Sequence, residues 1–479
     1  MLNKNDLEFL SSLGITKKEI DSQIDLLLGK TKIKTLKLMR PCVEGDGIIS
    51  PNEVDKLNVD SGSIMSELLI SRFIPASGSA TRMFALDRFK EEFFAKLHLL
   101  PFYSKILDYS DKNEVELNTI IKNKDIEALK EILTSEDLIN FSRQPKGLID
   151  FHLFDGLPIS PVEEFVLNSI DDITNSKIYF TVQEGLEEDI RFKINKSPFL
   201  KKSDPESLYE LMIQPKSTNS LCLDDEGELL RKENGDIYTH PSGHGALLDI
   251  LNDVNSDFVF INNIDNISSK TRLLRYEVSE FLYKIAHSTK KRFDLLLETF
   301  NERNYELLEP SIAQLENSLP TQFKSKPLDK KVDLIIQMLN KPIRVCGVVR
   351  DEKASGGKPF WVHDGNSESV QIVEESQINL NDENQKNIWD NCGYFNPVEM
   401  ICSTKDYMGK KFDLREFAEE GLKIRVQKSV LGKECSFIEL PGLWNGSMHY
   451  WHTTFVEIPL ETFTPVKNFT DLFLPIHQP

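Results

Sequence analysis

Four short segments of this chain combine small residues, charges and apparent strand ends in ways that suit phosphate chemistry. The first is Ser77-Gly78-Ser79-Ala80-Thr81-Arg82-Met83, which comes after an apolar run from Leu68 to Pro75. Small residues let backbone N–H groups approach phosphate oxygens, and a helix starting there adds its dipole. Arg82 can add a charge-assisted bond to the same oxygens. A tight strand-to-helix turn calls for small residues anyway, so Ser77 and Gly78 read equally as a plain turn. The second is Gln144-Pro145-Lys146-Gly147-Leu148-Ile149. Its Pro-Lys pair before an apolar stretch places one ammonium, Lys146, either at a phosphate or on an ordinary surface loop.

The third segment is Thr239-His240-Pro241-Ser242-Gly243-His244-Gly245-Ala246. Two glycines around His244 bring backbone and imidazole to one point, or form a loop with an exposed histidine. The fourth is Phe258 to Asn266, FVFINNIDN. Open α/β sheets bind ligands outside the carboxyl ends of their strands. A carboxylate at Asp265 suits Mg²⁺, which takes few protein oxygens and shares substrate phosphates; an Asp that merely caps the next turn reads the same way. Cys42 to Glu53 imitates a calcium loop, but Cys42 stands at the first ligand position and Pro51 disturbs the exit, which argues against calcium.

Elements to position these groups are visible in the periodicity. Residues 5 to 30 carry apolar positions at helical spacing, and residues 84 to 140 and about 270 to 340 form two further helical blocks. Lys177 to Val182 and Asp257 to Ile264 read as buried strands. After Ile343 the texture changes to short strands and turns. Strands alternating with helices argue for a mostly parallel sheet with helices on both faces, into which the helical blocks are inserted. The expected organisation is an N-terminal helical region over 1–66, a catalytic domain over 67–342 and a mixed C-terminal part over 343–479.

The bulk numbers exclude several classes. Hydrophobic residues make up 40% and charged residues 28%, ordinary for a globular protein, and the net charge is −19. Such a surface repels nucleic acid and anionic membranes, so no nucleic-acid or membrane partner is expected, and an anionic substrate needs a local cluster of Lys and Arg. Six scattered cysteines without a C-x-x-C pair read as reduced thiols of a cytoplasmic protein. The start, MLNKNDLEFLSSLGI, lacks a basic, apolar secretion signal. No run approaches the ~18 uninterrupted apolar residues of a membrane span.

The order of these segments resembles that of nucleotidyltransferases, and more closely that of the UDP-sugar pyrophosphorylases of the UDP-glucose and UDP-N-acetylhexosamine type. PSGHGALLDILNDVNSDFVFINNIDN resembles their Gly-His-Gly loop and the strand ending in Asp-Asn beyond it. Gln214-Pro215-Lys216 resembles their Gln-x-Lys segment, VQIVEESQI the segment with a sugar-contacting Glu, here Glu374, and Tyr394-Phe395-Asn396 their Phe-Asn motif. Phe463-Thr464-Pro465-Val466-Lys467 resembles their Pro-Val-Lys segment with its phosphate-binding lysine. The whole chain also resembles an uncharacterised bacterial family of unknown function related to that superfamily.

The resemblance implies an α/β, glycosyltransferase-A-like, Rossmann-type nucleotidyltransferase domain with helical insertions and a small mixed C-terminal domain. It implies transfer of a uridylyl group from UTP to a sugar 1-phosphate, with pyrophosphate released and Mg²⁺ as cofactor. Ser77, Gly78, Gln214 and Gly243 would hold the nucleotide, and Arg82, Lys146 and Lys467 would carry the chemistry. His244, Glu374 and Asn396 would hold the sugar phosphate, and Asp265 the metal. Departures are visible too. Ala80 stands where the family usually has a second Gly, and its Cβ is expected to narrow the phosphate space. Ser355-Gly356-Gly357-Lys358 only approximates their Lys-Gly-Gly segment. The C-terminal β-helix of that family is absent, so no oligomer built on it is expected. A glycosyltransferase on the same fold, or a catalytically silent nucleotide-sugar-binding relative, are the alternatives.

Overall fold

A computed structural model describes residues 2–50, 68–78, 80, 83–84, 89–134, 141, 144–170, 172–201, 204–303, 312, 326–350, 356–363, 368–430 and 433–479. The chain is mixed α/β. It divides into two compact units: Met1–Ser63, Gln214–Val259 and Leu282–Ile458 form one, and Ile64–Ile213, Phe260–Phe281 and Pro459–Pro479 the other.

The second unit is built on parallel strands. Ile70–Pro75 pairs in parallel with Ile178–Val182, which pairs in parallel with Tyr209–Ile213. Five of the six residues of Ile70–Pro75 are buried, the pattern of a strand covered on both faces. Helices Pro161–Ser169 and Glu187–Asn195 cover this layer through a core that includes Val162, Phe165, Ile178, Phe180 and Ile190. Pro161 opens its helix at the position where a missing N–H costs nothing, with Ser160 and Glu163 closing a capping box.

The helical block read over 84 to 140 is present as short pieces: a 3-10 run Glu91–Leu99 and helices Tyr103–Lys112, Leu117–Asn123 and Ile126–Thr134. They close around Phe84, Phe102, Phe141 and Phe469, an aromatic cluster with ring centroids 4.7–6.2 Å apart.

The first unit is assembled largely from antiparallel pairs. Ser220–Asp224 lies between Thr239–His240 and Lys433–Glu439, and Ile424–Val430 pairs with the latter. Ile343–Arg350 runs parallel to His452–Glu457 and antiparallel to Met400–Ser403. Residues 5 to 30 form two helices, Lys4–Ser12 and Lys17–Leu27, each opened by a capping box (Asn3 with Asp6, Thr16 with Glu19) and separated at Gly14, whose φ of +85° suits glycine. The calcium-like segment contributes strands Val43–Glu44 and Gly47–Ile49, and its Asp46 carboxylate is engaged by the Arg40 guanidinium at 2.7 and 3.1 Å.

All six cysteines are free and buried. Among the described residues no helix is long and apolar enough to cross a membrane.

Candidate active site

Four segments that are far apart in sequence meet inside the second unit. Strand Ile70–Pro75 delivers the chain to the small-residue loop, where Ala76 N–H donates to Thr181 O at 3.1 Å and Gln183 Nε2 donates to Ser77 O at 3.1 Å. The loop is then tied to the Pro-Lys segment: Lys146 N–H donates to Gly78 O at 3.1 Å, and Ala80 N–H to Gln144 O at 2.9 Å. Arg82, expected to reach phosphate, lies outside the described residues, as do Ser79 and Thr81. Residues 85–88, where the expected helix would continue, also lie outside the described residues; Met83 and Phe84 form a turn, and the next described regular run is the 3-10 segment Glu91–Leu99. Ala80 is fully buried in the aromatic cluster beside Met83 and Phe84. At Gly78 a Cβ would meet open space.

Lys146 begins a short 3-10 turn, Lys146–Leu148. Gly147 lets this turn press against the neighbouring layer, because a Cβ there would stand 2.9 Å from Val162 Cγ1. The Lys146 ammonium reaches Asp265 Oδ2 at 2.8 Å and Val466 O at 3.1 Å. Asp265 was expected at the strand's end. The strand stops at Ile261, because Asn262 and Asn263 are poor strand residues, and Asp265 sits in the turn beyond it, where Asn266 N–H donates to Asn263 O at 3.2 Å. The Pro-Val-Lys segment pairs with this turn. Val466 N–H donates to Asp265 O at 2.9 Å, Pro465 bridges Asn266, and Thr464 N–H donates to Asn266 Oδ1 at 2.8 Å. The next residue, Lys467, has its ammonium 5.7 Å from the centre of the Phe463 ring, and its N–H donates to Asp471 Oδ2 at 2.8 Å.

The fit of a magnesium ion can be judged from this donor set. Among the described residues only Oδ2 of Asp265 is engaged, so one oxygen remains for a hard cation, and Mg²⁺ accepts a single carboxylate when phosphates and water complete its shell. No group of three or more His, Cys, Asp or Glu is placed to hold a metal among the described residues. Asp265 therefore fits a substrate-shared ion and not a cage made by protein alone.

The remaining expected residues fall in the first unit. Gln214 is half-buried and leads through Pro215 into a 3-10 turn, Lys216–Thr218. His244 opens the 3-10 turn His244–Ala246. Gly243 is exposed, and a Cβ there would lie 3.7 Å from Glu439 Oε1. Ser242 is buried, and its hydroxyl has no hydrogen-bond partner among the described residues. Glu439 also acts on Glu374 through its charge. Burial pushes the Glu374 carboxyl above the usual range, Glu439 adds to this, and hydrogen bonds from Trp444 and Asn445 oppose it. Asn396 is 2% exposed; its Nδ2 donates to Gly347 O at 2.7 Å and its Oδ1 accepts from Val398 N–H at 3.2 Å. Its amide thus ties the strand Ile343–Arg350 at Gly347 to the backbone at Val398, whose φ of +61° is strained for a β-branched residue.

A family model described as a domain of unknown function, DUF4301, matches residues 3–478. The chain belongs to the DUF4301 family. No curated protein matches it. Solved structures similar to this DUF4301 chain include three enzymes. One is a UDP-glucose phosphorylase from Trypanosoma brucei, with 14% identity, 99% of this chain and 80% of that chain covered, and a TM-score of 0.44. The UDP-glucose pyrophosphorylase from Leishmania major shows 12% identity, 98% and 79% coverage and a TM-score of 0.46. The UDP-N-acetylglucosamine pyrophosphorylase from Trypanosoma brucei shows 14% identity, 98% and 79% coverage and a TM-score of 0.48. They are proteins of the kind that the motif order resembles.

Of the two glycines around His244 in this DUF4301 chain, the crowded one is Gly245. A Cβ at Gly245 would overlap the Leu440 side chain and stand 2.9 Å from Leu440 Cα and O. Gly245→Ala is therefore expected to destabilise the protein by about 1–3 kcal/mol, and Gly243→Ala to change stability much less. Thermal unfolding of both variants checks this, and equal midpoints would contradict it. Glu439, Trp444 and Asn445 also escape a sequence reading, since nothing local marks a residue whose partner lies at Glu374.

Proposed function

We propose that this protein is a nucleotidyltransferase that joins UTP and a sugar 1-phosphate. A phosphate oxygen of the sugar forms a bond to the α-phosphorus of UTP, the bond from that phosphorus to the bridging oxygen breaks, and pyrophosphate leaves. The observation that carries this reading is the meeting of Lys146, Asp265 and the Val466 carbonyl, which gathers three of the expected motifs at one point. Phosphoryl chemistry of this kind needs alignment and charge neutralisation more than covalent help. Lys146 and Lys467 supply cationic groups on two separate segments, which an acidic chain requires for an anionic substrate. Lys146 would exchange its Asp265 partner for a phosphate oxygen, and Asp265 would hold Mg²⁺, which supplies charge neutralisation on the triphosphate. In the first unit, Gln214 and the Gly243 backbone are assigned to the base, and His244, Glu374 and Asn396 to the sugar side. Asn396 acts there by fixing backbone. The burial of Ala80 in the aromatic core supports this reading over a silent relative.

The test is pyrophosphate release from UTP with a panel of sugar 1-phosphates. Release with at least one sugar supports the reading. Binding of a UDP-sugar without release would support the silent reading, and consumption of a UDP-sugar with an acceptor would support a glycosyltransferase. Uracil presents acceptor, donor and acceptor along its edge, and one Gln amide can serve two adjacent positions. UTP is therefore expected to outcompete CTP and ATP, with dTTP next because only its methyl differs. Gln214→Ala should flatten this ranking by roughly tenfold or more, the effect of one buried polar mismatch. Equal use of ATP and UTP by the unmodified protein would overturn the uridine assignment.

A further inference from the structure

Among the described residues the Lys467 ammonium makes no ion pair, unlike that of Lys146, which is held at Asp265. Its place is therefore set by the Phe463 ring, whose centre is 5.7 Å away, and by the backbone that carries it. The Lys467 N–H donates to Asp471 Oδ2, a local contact that ties nothing to the Asp265 side of the site. What joins Lys467 to that side is the pairing of residues 464–466 with Asp265 and Asn266.

That pairing is thin. Pro465, which bridges Asn266, has no N–H to give. Two donors remain in the stretch, and they end on different kinds of acceptor. Val466 N–H donates to the Asp265 carbonyl at 2.9 Å, whereas Thr464 N–H donates to the side-chain oxygen of Asn266 at 2.8 Å. Asn266 is 1% exposed and Thr464 6%, so water is not at hand to replace that acceptor. Asn266 is itself fixed by its N–H, which donates to Asn263 O at 3.2 Å. Stability alone does not account for this amide. Its Nδ2 is buried without a hydrogen-bond partner among the described residues, and so is the Thr464 hydroxyl. A buried donor left unpaired costs free energy, so an apolar side chain would suit this spot better if packing were the only demand.

We propose that Asn266 is a positioning residue. Its carboxamide oxygen docks the Pro-Val-Lys segment on the Asp265 turn, and so sets the Lys467 ammonium against the reacting phosphates. The assignment rests on the reaction proposed above. Asn266 touches no substrate in it and acts through the backbone of Thr464.

The test compares the full chain with Asn266→Ala, which deletes the acceptor and keeps Lys146, Asp265 and Lys467. The kcat for pyrophosphate release from UTP and a sugar 1-phosphate is expected to fall by roughly 10- to 100-fold, the effect of a misplaced reacting group, with KM for UTP little changed. A raised KM at unchanged kcat overturns the proposal. Asn266→Ala combined with Lys467→Ala should be no slower than Lys467→Ala alone, because both act through one ammonium; losses that multiply overturn it. Amide hydrogen exchange needs no turnover. In the unmodified protein, which does not depend on any variant folding, the Thr464 amide should be protected about as well as that of Val466, and free exchange at Thr464 overturns the proposal. In Asn266→Ala the Thr464 amide should exchange faster while the strand Ile178–Val182 keeps its protection. Faster exchange over both regions is general loosening and overturns the positioning role. Absence of pyrophosphate release from the unmodified protein would bear on the proposed reaction, and the exchange pattern would still decide whether Asn266 docks the segment.

Discussion

Asp265→Asn is expected to reduce Mg²⁺-dependent turnover by ~100-fold or more, the usual effect of removing one group that stabilises developing charge. The fold should survive. Asn keeps an acceptor for Lys146, whose ammonium also retains Val466 O at 3.1 Å. The pair is partly exposed, at 15% for Lys146 and 23% for Asp265, and pairs of that kind contribute roughly 1 kcal/mol or less. Steady-state turnover beside a thermal melt separates the two effects. Near-normal turnover in a folded variant would sink the metal assignment. A double variant with Lys146→Met adds a finer reading. If Asp265 only steers Lys146, the double variant should be no slower than either single one. If the two act on different phosphates, the losses should compound.

The largest expected loss of stability belongs to Arg344, which no sequence motif marks. It is fully buried on the strand Ile343–Arg350, and burial pushes its guanidinium below the ordinary arginine range. Its partners are all neutral: Thr453 Oγ1 at 2.8 Å, the Trp444 carbonyl at 2.6 Å and Gln371 Oε1 at 3.0 Å. Among the described residues it makes no ion pair. Gln371 in turn donates to His449 O at 2.7 Å, so Arg344 ties the 444–449 turn to the strand Glu368–Val373, which leads into Glu374. Arg344→Met keeps much of the volume but orphans three acceptors, each costing about 1–3 kcal/mol. Arg344→Ala adds a cavity, so its total loss should exceed ~4 kcal/mol. Chemical denaturation of both variants gives the order expected, Ala worse than Met and both well below the unmodified protein. A Met variant as stable as the parent would show that the buried charge costs as much as its hydrogen bonds contribute. Because Trp444 and Asn445 hydrogen-bond Glu374, the Met variant should also disturb the sugar side of the proposed reaction.

Arg344 shows what kind of signal was available. IRVCGVV reads as a short strand, and the structure places every residue from Ile343 to Val349 inside. An arginine within such a run is the anomaly that points to a buried polar network, although its partners lie on Gln371, Trp444 and Thr453, which no local pattern joins. Arg72 is the same case in Ile70–Pro75, with partners at Asp172, Asn262 and Ser279.

The sequence by itself determined the features that local spacing controls. The strands at 178–182 and 258–261, the helices over 4–27 and 103–134, and the loop placements of Lys146 and Gly243 all arise from periodicity, caps and turn residues, which act over a few residues. Tertiary structure decided the rest. It turned Ala80 into the aromatic core, moved Asp265 past the strand into a turn, and joined that turn to Val466 and Lys146. It also made Gly245, and not Gly243, the glycine with no room for a side chain, because Leu440 arrives there from a distant strand end. Such outcomes depend on which segments pack together once apolar surface is buried, and burial is indifferent to separation along the chain.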